Sequence, residues 1–513
     1  MSALLGIDLG TGSVKAVIVA PDGRVLGRGS AGYSIRQTRP GWAEQEPEDW
    51  WRGTVKAVRA ARVQTGEVDV LAVGLSGQMH GTVLLDGQGR AIGPAIIWAD
   101  TRSAEQVADL TNRIGAERLV DLTGSPLAVG FQAGTIRWIQ PNQPDRWDQV
   151  TTVLLPKDYL GWRLTHVSAT EPSDASGTLL FDVRTRDWSE EILSALDLRR
   201  GQLPTVDAST AIRGYLSDAA AAELGLRGRI PVVGGGADAP LAALAAGVIE
   251  PDAMLLTISS GSQVIVPTDE VRVDRQGRMH TWCSCFEPPA GDLRPGPTGA
   301  GWYQMGATMV SGLALRWLQE NVFGLRDADA YDDMTNWAAR APVGADGLIF
   351  LPYLAGERTP LMDPYARGLF LGLTTAHDRS HLTRAVMEGA TLALYDAYGV
   401  LGDNGAAPRR TVLAGGGARS AVWRQIVADV FGVPIRPLAD VDGSALGAAL
   451  LAGVGIGLFD LATTALAWAH YGDAVLPDPA AHERYQRLLP IFREAYVKHR
   501  GDFRALADMA GGS

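Results

Sequence analysis

The stretch "GIDLGTGSVKAVIVAPDGRVLGRG", Gly6 to Gly29, limits the available folds more than any other part of the chain. An apolar run meets a turn of glycine, threonine and serine, a second apolar run follows, and "PDG" leads into a third. That order reads as strand, tight turn, strand, turn, strand. The same grammar returns at Met254 in "MLLTISSGSQVIVPTDEVRV". Two such hairpins in 513 residues predict a duplicated α/β fold, because a chain this long does not close around one core. The first half is expected to end near Asp238, with a ligand cleft between the halves.

Other segments fill in this plan. "EPEDWWRGTVKAVRAAR" places Trp51, Val55 and Val58 at helical spacing behind an acidic first turn, and "VLAVGLSG" is a buried strand ending in Ser76-Gly77. "TVLAGGGARSAVWRQIVADVFGVPI" reads as strand, glycine turn and helix, with Val422, Ile426 and Val430 on the buried face and Ser420 as the cap. "WYQMGATMVSGLALRWLQ", from Trp302, has large apolar residues at helical spacing and reads as core.

A net charge of -11 argues against nucleic-acid or anionic-membrane partners, which favour a basic face. The two cysteines, Cys283 and Cys285, give no disulfide framework and suit a reducing compartment. "MSALLGIDLG" lacks the basic start of a signal peptide, and the uncharged run Pro295 to Leu315 is broken by glycines, proline and polar residues. A soluble cytoplasmic protein is expected. "HTWCSC", His280 to Cys285, offers three metal-type ligands without a fourth and is better read as strand packing.

Three places carry chemistry. In "GIDLGTGSVK", Gly10 and Gly12 let backbone N–H groups approach phosphate oxygens, and Thr11 and Ser13 offer hydroxyls. Asp8 would repel a phosphate directly, but reaches it usefully through a divalent cation and its water. In "VVGGGADAPLAAL", a strand ends in three glycines and the lone carboxylate of Asp238 precedes a small-residue helix. Such a carboxylate can cap the helix or, aimed at a hydroxyl, act as general base. In "WADTR", Trp98, Asp100 and Arg102 alternate; on an extended segment all three face one side, either to hold a polar ligand or with Asp100 and Arg102 as an ion pair.

"GIDLGTGSVK", "GLSGQMHG", "WADTR", "LLPKDYL", "LPYLAGERTP", "GLFLGLTTAHDRSHLTRAVMEG" and "GGGARSAVWRQIVADVFGVPI" together resemble the FGGY carbohydrate kinases. The likeness runs over nearly the whole chain, with the motifs in family order. It implies two ribonuclease-H-like (actin/hexokinase-type) α/β domains around a central cleft, with residues 1–245 for the sugar and residues 246–513 for the nucleotide. It implies ATP and Mg2+ as cofactors, Asp238 as general base, and Asp8 as the carboxylate that meets the metal through water. Gln78, Met79 and His80, with Trp98, Asp100 and Arg102, are then sugar ligands. Gly10, Thr11, Gly12, Ser13, Lys15, Ser259, Ser260 and Gly261 hold phosphates, while Gly415, Gly416, Gly417, Ala418 and Gln425 lie at the adenosine. "GSALGAA" from Gly443 is either another nucleotide surface or packing.

Within the family the sugar implied is a ketopentose, D-xylulose first, with D-ribulose, L-ribulose, a polyol or gluconate as alternatives. Three departures from the family pattern bear on this. Ala239 stands where an asparagine usually follows the base, Ile258 replaces a glycine of the second hairpin, and Thr135 replaces a lysine ahead of Trp138. Two other classes fit the sequence less well. A dinucleotide dehydrogenase fails because Ser420 stands where G-x-G-x-x-G needs its last glycine. A non-catalytic sugar sensor is disfavoured by the retained Asp8 and Asp238. Oligomeric state stays open, a homodimer being one outcome.

Overall fold

The computed structural model describes residues 1–286, 299–327, 329–439 and 442–511, so the first four residues of the Pro295–Leu315 run lie outside the described residues. The chain forms two compact units: Met1–Glu250 with Pro267–Tyr303 and Asp442–Ala469, and Pro251–Val266 with Gln304–Val441 and His470–Ser513. The chain first leaves the first unit after Glu250, whereas the expected boundary is 245/246. Two later segments, however, return to the first unit, so the division is not a single cut in sequence.

In the first unit the opening hairpin forms as its grammar predicts: strands Ser2–Leu9, Ser13–Val19 and Val25–Gly32. Ser2–Leu9 pairs antiparallel with Ser13–Val19 and parallel with Asp69–Gly77. The sheet order is Ile212–Tyr215, Pro231–Val233, Asp69–Gly77, Ser2–Leu9, Ser13–Val19, Val25–Gly32, with Gly236–Ala237 also parallel to Asp69–Gly77. On one face lies the helix Pro47–Thr65, started by Pro47 with Glu48 and Asp49 in its first turn, and burying Trp50, Trp51, Ala57, Val58 and Ala61.

Helix Gly443–Gly455 covers the central strands from the other side, and the sequence explains its closeness. A Cβ built on Gly6 would lie 1.9 Å from the Ala445 carbonyl oxygen, and one on Gly74 would lie 1.8 Å from that of Ala448. Only glycine in the strands and alanine on the helix permit this approach. "GSALGAA" is therefore packing, and it is the contact that draws residues 442–469 into the first unit.

In the second unit, Ala253–Ile258 pairs antiparallel with Ser262–Thr268 and parallel with Arg410–Ala414, which in turn pairs with Ile435–Pro437. The core of the first unit is thus repeated, with one correction. "EVRV", Glu270–Val273, is not a strand. The place beside Ser262–Thr268 is taken by Trp302–Thr308, which is buried along its whole length. A short charged segment loses that place to a continuous apolar one. It follows that "WYQMGAT" is strand rather than helix, and only Gly312–Trp317 continues as α-helix. Among the described residues, no helix is long and apolar enough to cross a membrane.

Candidate active site

In the first unit, three parallel strand ends converge. Asp8 lies opposite Ser76, and Ser76 lies opposite Gly236, so the carboxylate strand, the "SGQMH" strand and the glycine turn before Asp238 terminate side by side. Ligands of open α/β sheets gather at such C-terminal strand ends. The Ser76 hydroxyl donates to Asp8 at 2.9 Å. Burial pushes the Asp8 carboxyl up from its ordinary value, the Ser76 hydrogen bond and Lys15 oppose this, and Asp442 adds to it.

Asp238 opens the helix Asp238–Ala245. Its carboxyl is pushed up to about 7, first by burial and then by the negative charge of Asp8, against the hydrogen bond from the Ala239 N–H. A carboxylate poised near neutral pH suits a general base. Asp238 is the first residue of that helix, and Ala237 at the N-cap supplies no side-chain cap hydrogen bond. Ser444 donates to the Asp238 carbonyl at 3.1 Å, tying the turn to the covering helix.

Burial and one hydrogen bond leave the Asp8 charge incompletely compensated, which fits a carboxylate meant to face a cation. Among the described residues no group of three or more His, Cys, Asp or Glu side chains is arranged to hold a metal ion. A magnesium ion here would therefore depend on nucleotide phosphates and water for most of its ligands, as that ion commonly does.

Gln78, Met79 and His80 follow the central strand. Gln78 accepts no partner at Oε1 among the described residues, while its amide donates to Gln45 at 3.0 Å. Gln45 in turn donates to the Thr11 carbonyl at 2.7 Å, and Trp98 donates to the Thr11 hydroxyl at 2.8 Å. The Gly10–Ser13 turn and the "QMH" segment are thus one hydrogen-bonded assembly. His80 has φ 74°, a left-handed conformation costly for a non-glycine residue and often found at functional sites. Its ring stacks on Phe131 at 3.6 Å between centroids. Nδ1 lies 2.6 Å from the Gly177 carbonyl, so Nδ1 carries a proton and donates it.

The reading of "WADTR" as extended is corrected: the segment after Ile97 is a turn. Asp100 and Arg102 are an ion pair with side chains 1% and 2% exposed, and Arg102 also reaches Glu44 at 2.8 Å. Its guanidinium lies over Trp42 at 3.5 Å, and Asp100 accepts the Ala43 N–H at 2.7 Å. The pair locks the loop, and Trp98 alone of the three bonds to the Gly10–Ser13 turn.

In the second unit, the Ser259–Gly261 turn and the Gly415–Ala418 turn are adjacent. A Cβ on Gly415 would meet the Ile258 carbonyl at 2.4 Å, and one on Gly417 would meet the Ile258 side chain at 2.4 Å. Ile258, the departure from the family glycine, fills the floor beneath the second turn and leaves Ser259 and Ser260 exposed. Ser420 caps the helix Ala421–Phe431 through the Trp423 N–H, as expected. Gln425 is different. Its amide donates to Asp429 and to the Leu476 carbonyl, so both amide hydrogens are used away from the glycine turn.

"HTWCSC" is strand packing: His280 lies 2.7 Å from the Ser125 hydroxyl, its ring stacks on Trp282, and both cysteines are buried free thiols. Sequence reasoning missed a buried charge cluster in the first unit. Lys157 lies 2.6 Å from Asp158, 3.7 Å from Glu171 and 3.6 Å from Asp174, and Arg213 lies 3.3 Å from Asp158. Glu171 accepts the Ser173 hydroxyl, and that hydroxyl accepts the Ala237 N–H at 3.0 Å, bracing the residue before Asp238. "LLPKDYL" was the available signal, but a lysine and aspartate in a row do not reveal that they are buried.

Two units that repeat one hairpin-and-parallel-strand core, one with acidic strand ends and one with a glycine turn before a helix, have the architecture of an actin-like, ATP-dependent sugar kinase. The chain belongs to the FGGY family of carbohydrate kinases, whose N-terminal domain model matches residues 3–245 and whose C-terminal domain model matches residues 283–456. It is 35% identical to the xylulose kinase of Escherichia coli (strain K12) over 96% of this chain and 98% of that protein. The crystal structure of a xyloylose kinase from Brucella ovis superposes with a TM-score of 0.88 at 30% identity, covering 97% of this chain and 99% of that one. A gluconate kinase from Lactobacillus acidophilus reaches 0.90 at 27% identity, covering 98% and 99%.

Proposed function

We propose that the protein transfers the γ-phosphate of ATP to a hydroxyl of D-xylulose, giving D-xylulose 5-phosphate, in the cytoplasm. Asp238 takes the proton from the attacking hydroxyl, which makes a weak alcohol nucleophile competent. The observation that carries this reading is the position and environment of Asp238: the end of a parallel strand, beside Asp8, with its carboxyl raised to about 7.

Gln78, Met79 and His80 bind the sugar, and Trp98 supports the phosphate turn through Thr11. Gly10–Ser13 and Lys15 in the first unit, and Ser259–Gly261 in the second, hold phosphates; Gly415–Ala418 holds the adenosine. Asp8 faces magnesium through water, and when bound that ion offsets charge on the phosphates. Asp100 and Arg102 hold the loop rather than the sugar, and Gln425 holds the C-terminal segment rather than the adenosine.

The choice of D-xylulose is supported by the xylulose kinases among the relatives. Gluconate is the second reading, favoured by Ala239 and by the likeness to a gluconate kinase. A coupled ADP-release assay over D-xylulose, D-ribulose, L-ribulose and gluconate tests it. D-xylulose is expected to give the highest kcat/KM, and a higher value on gluconate overturns the sugar while leaving the kinase.

A further inference from the structure

We propose that Glu357 is a positioning residue for the second phosphate turn, acting on Ser259–Gly261 through the backbone of Met309. The inference rests on the reading of that turn as a phosphate site. Glu357 belongs to "LPYLAGERTP", about a hundred residues from the turn in sequence, and neither sugar binding nor proton transfer calls on it. It is 4% exposed. One oxygen, Oε1, accepts the Met309 N–H at 2.7 Å and the Arg358 N–H at 2.7 Å. Two residues on, the Thr359 N–H donates to the Ala307 carbonyl at 3.0 Å, and the Ala307 N–H donates to the Thr359 hydroxyl at 3.2 Å. The segment thus grips residues 307 and 309, at the end of the strand Trp302–Thr308.

Residues 311–313, just beyond that strand end, hold the phosphate turn. The Ser311 and Leu313 N–H groups donate to the Ser260 carbonyl at 2.8 and 3.0 Å, and the Gly312 N–H donates to the Ser259 carbonyl at 2.8 Å. Ser262 donates through its hydroxyl to Ser311 at 2.6 Å and through its N–H to Thr308 at 3.2 Å. A Cβ on Gly261 would lie 2.4 Å from the Thr308 carbonyl, so the backbone of the turn packs directly on that strand end. Any displacement at Met309 passes directly into the carbonyls, and hence the orientation, of Ser259 and Ser260. Such rigid support is what a site of oriented donors requires.

The second oxygen, Oε2, is buried without a hydrogen-bond partner among the described residues, and burial pushes the carboxyl up to about 8. That shift favours the uncharged form, and glutamine keeps the shape and the Oε1 acceptor without a charge. This supplies the test, made on the full-length enzyme at pH 7. Glu357→Ala removes an acceptor worth about 2–10-fold in an equilibrium. It is expected to raise the KM for ATP by about that factor while the KM for sugar stays within about twofold, and Glu357→Gln is expected to restore the wild-type KM for ATP. If the alanine variant changes both KM values equally, or lowers Tm with unchanged kinetics, Glu357 is only a residue of the fold. Failure of glutamine to rescue also overturns the proposal, because a neutral acceptor is then insufficient. Should the alanine variant not fold, Glu357→Met fills the volume without an acceptor and carries the same test; if neither folds, the positioning role is wrong. Ser260→Ala separates the two readings. If it leaves the KM for ATP unchanged, the phosphate role of the turn fails; if it raises that KM and Glu357→Ala does not, only the positioning role of Glu357 fails.

Discussion

The two hairpins share a strand order but stabilise their turns by different means. The first, Gly10–Ser13, is held mainly by side chains from outside: Gln45 and Trp98 reach Thr11, and the Tyr33 hydroxyl donates to the Gly10 carbonyl, with one backbone bond from the Tyr33 N–H to the Gly12 carbonyl. The second, Ser259–Gly261, is held by backbone N–H groups of residues 311–313. The first carries a carboxylate, Asp8, one residue before its strand ends; the second has Thr257 in the corresponding place. Their glycines differ in the same sense. A Cβ on Gly12 would meet nothing within 4 Å, whereas one on Gly261 would collide with backbone. A duplicated core therefore does not imply duplicated chemistry. Both copies keep hydroxyls, but one keeps charge and open backbone while the other keeps rigidity.

The largest expected effect tests the charged copy. Asp238→Ala should lower kcat by about 10²–10⁴-fold with ATP binding nearly intact; retention of more than about a tenth of the wild-type rate, outside that range, would reduce Asp238 to a cap. In the wild type, kcat/KM should fall by about tenfold per pH unit below pH 7, as the base is protonated. The same shift has a consequence for stability. The Asp238 carboxyl loses its proton near 3.8 ordinarily and near 7 in the folded protein, so between those values the folded state binds more protons. Its contribution to stability therefore declines as pH rises from 3.8 to 7 and stays at its lowest above that. Asp238→Asn should melt higher than wild type at pH 8, with the gap closing toward pH 4, as measured by thermal scans.

Asp8→Asn comes next. Turnover and apparent magnesium affinity should fall by about 10–100-fold, the usual range for groups that act on a metal through its water. Because the Asp8 charge helps raise Asp238, the acid limb of the pH profile should move to lower pH. A magnesium titration superimposable on wild type would remove the metal role.

A pair of glycine variants sharpens the contrast between the turns. Gly261→Ala should destabilise the protein by about 1–3 kcal/mol through overpacking. Gly12→Ala should leave stability within about 0.5 kcal/mol and instead weaken ATP binding. Equal effects on Tm would mean that the two turns are held alike. The smallest effect concerns the sugar. Ala239→Asn, restoring an amide beside the base, should lower the KM for D-xylulose by about 2–10-fold, the value of one net hydrogen bond. A rise on D-xylulose with no gain elsewhere would show that the buried position, 4% exposed, cannot take the amide.

Much of the fold was legible in the sequence, as were the two carboxylates proposed for the site, and the reasons are physical. Alternating and continuous apolar runs around glycine turns specified both hairpins, the Asp69–Gly77 strand and the helix capped by Ser420, because these depend on local periodicity and turn chemistry. Asp8 and Asp238 stood out because a lone charge at a glycine-flanked strand end has few structural uses. Long-range packing decided the rest. Trp302–Thr308 reads as helix by spacing and is a strand, since its place in the sheet outweighs its local pattern. Asp100 and Arg102 are two residues apart and read equally well as ligands or as an ion pair, yet a turn and the ring of Trp42 close them on each other. No local signal marks Gly443–Gly455 as the partner of Gly6 and Gly74, or Glu357 as the acceptor for Met309. Each depends on segments far apart in sequence meeting at van der Waals or hydrogen-bond distance, and that proximity is a property of the folded chain alone.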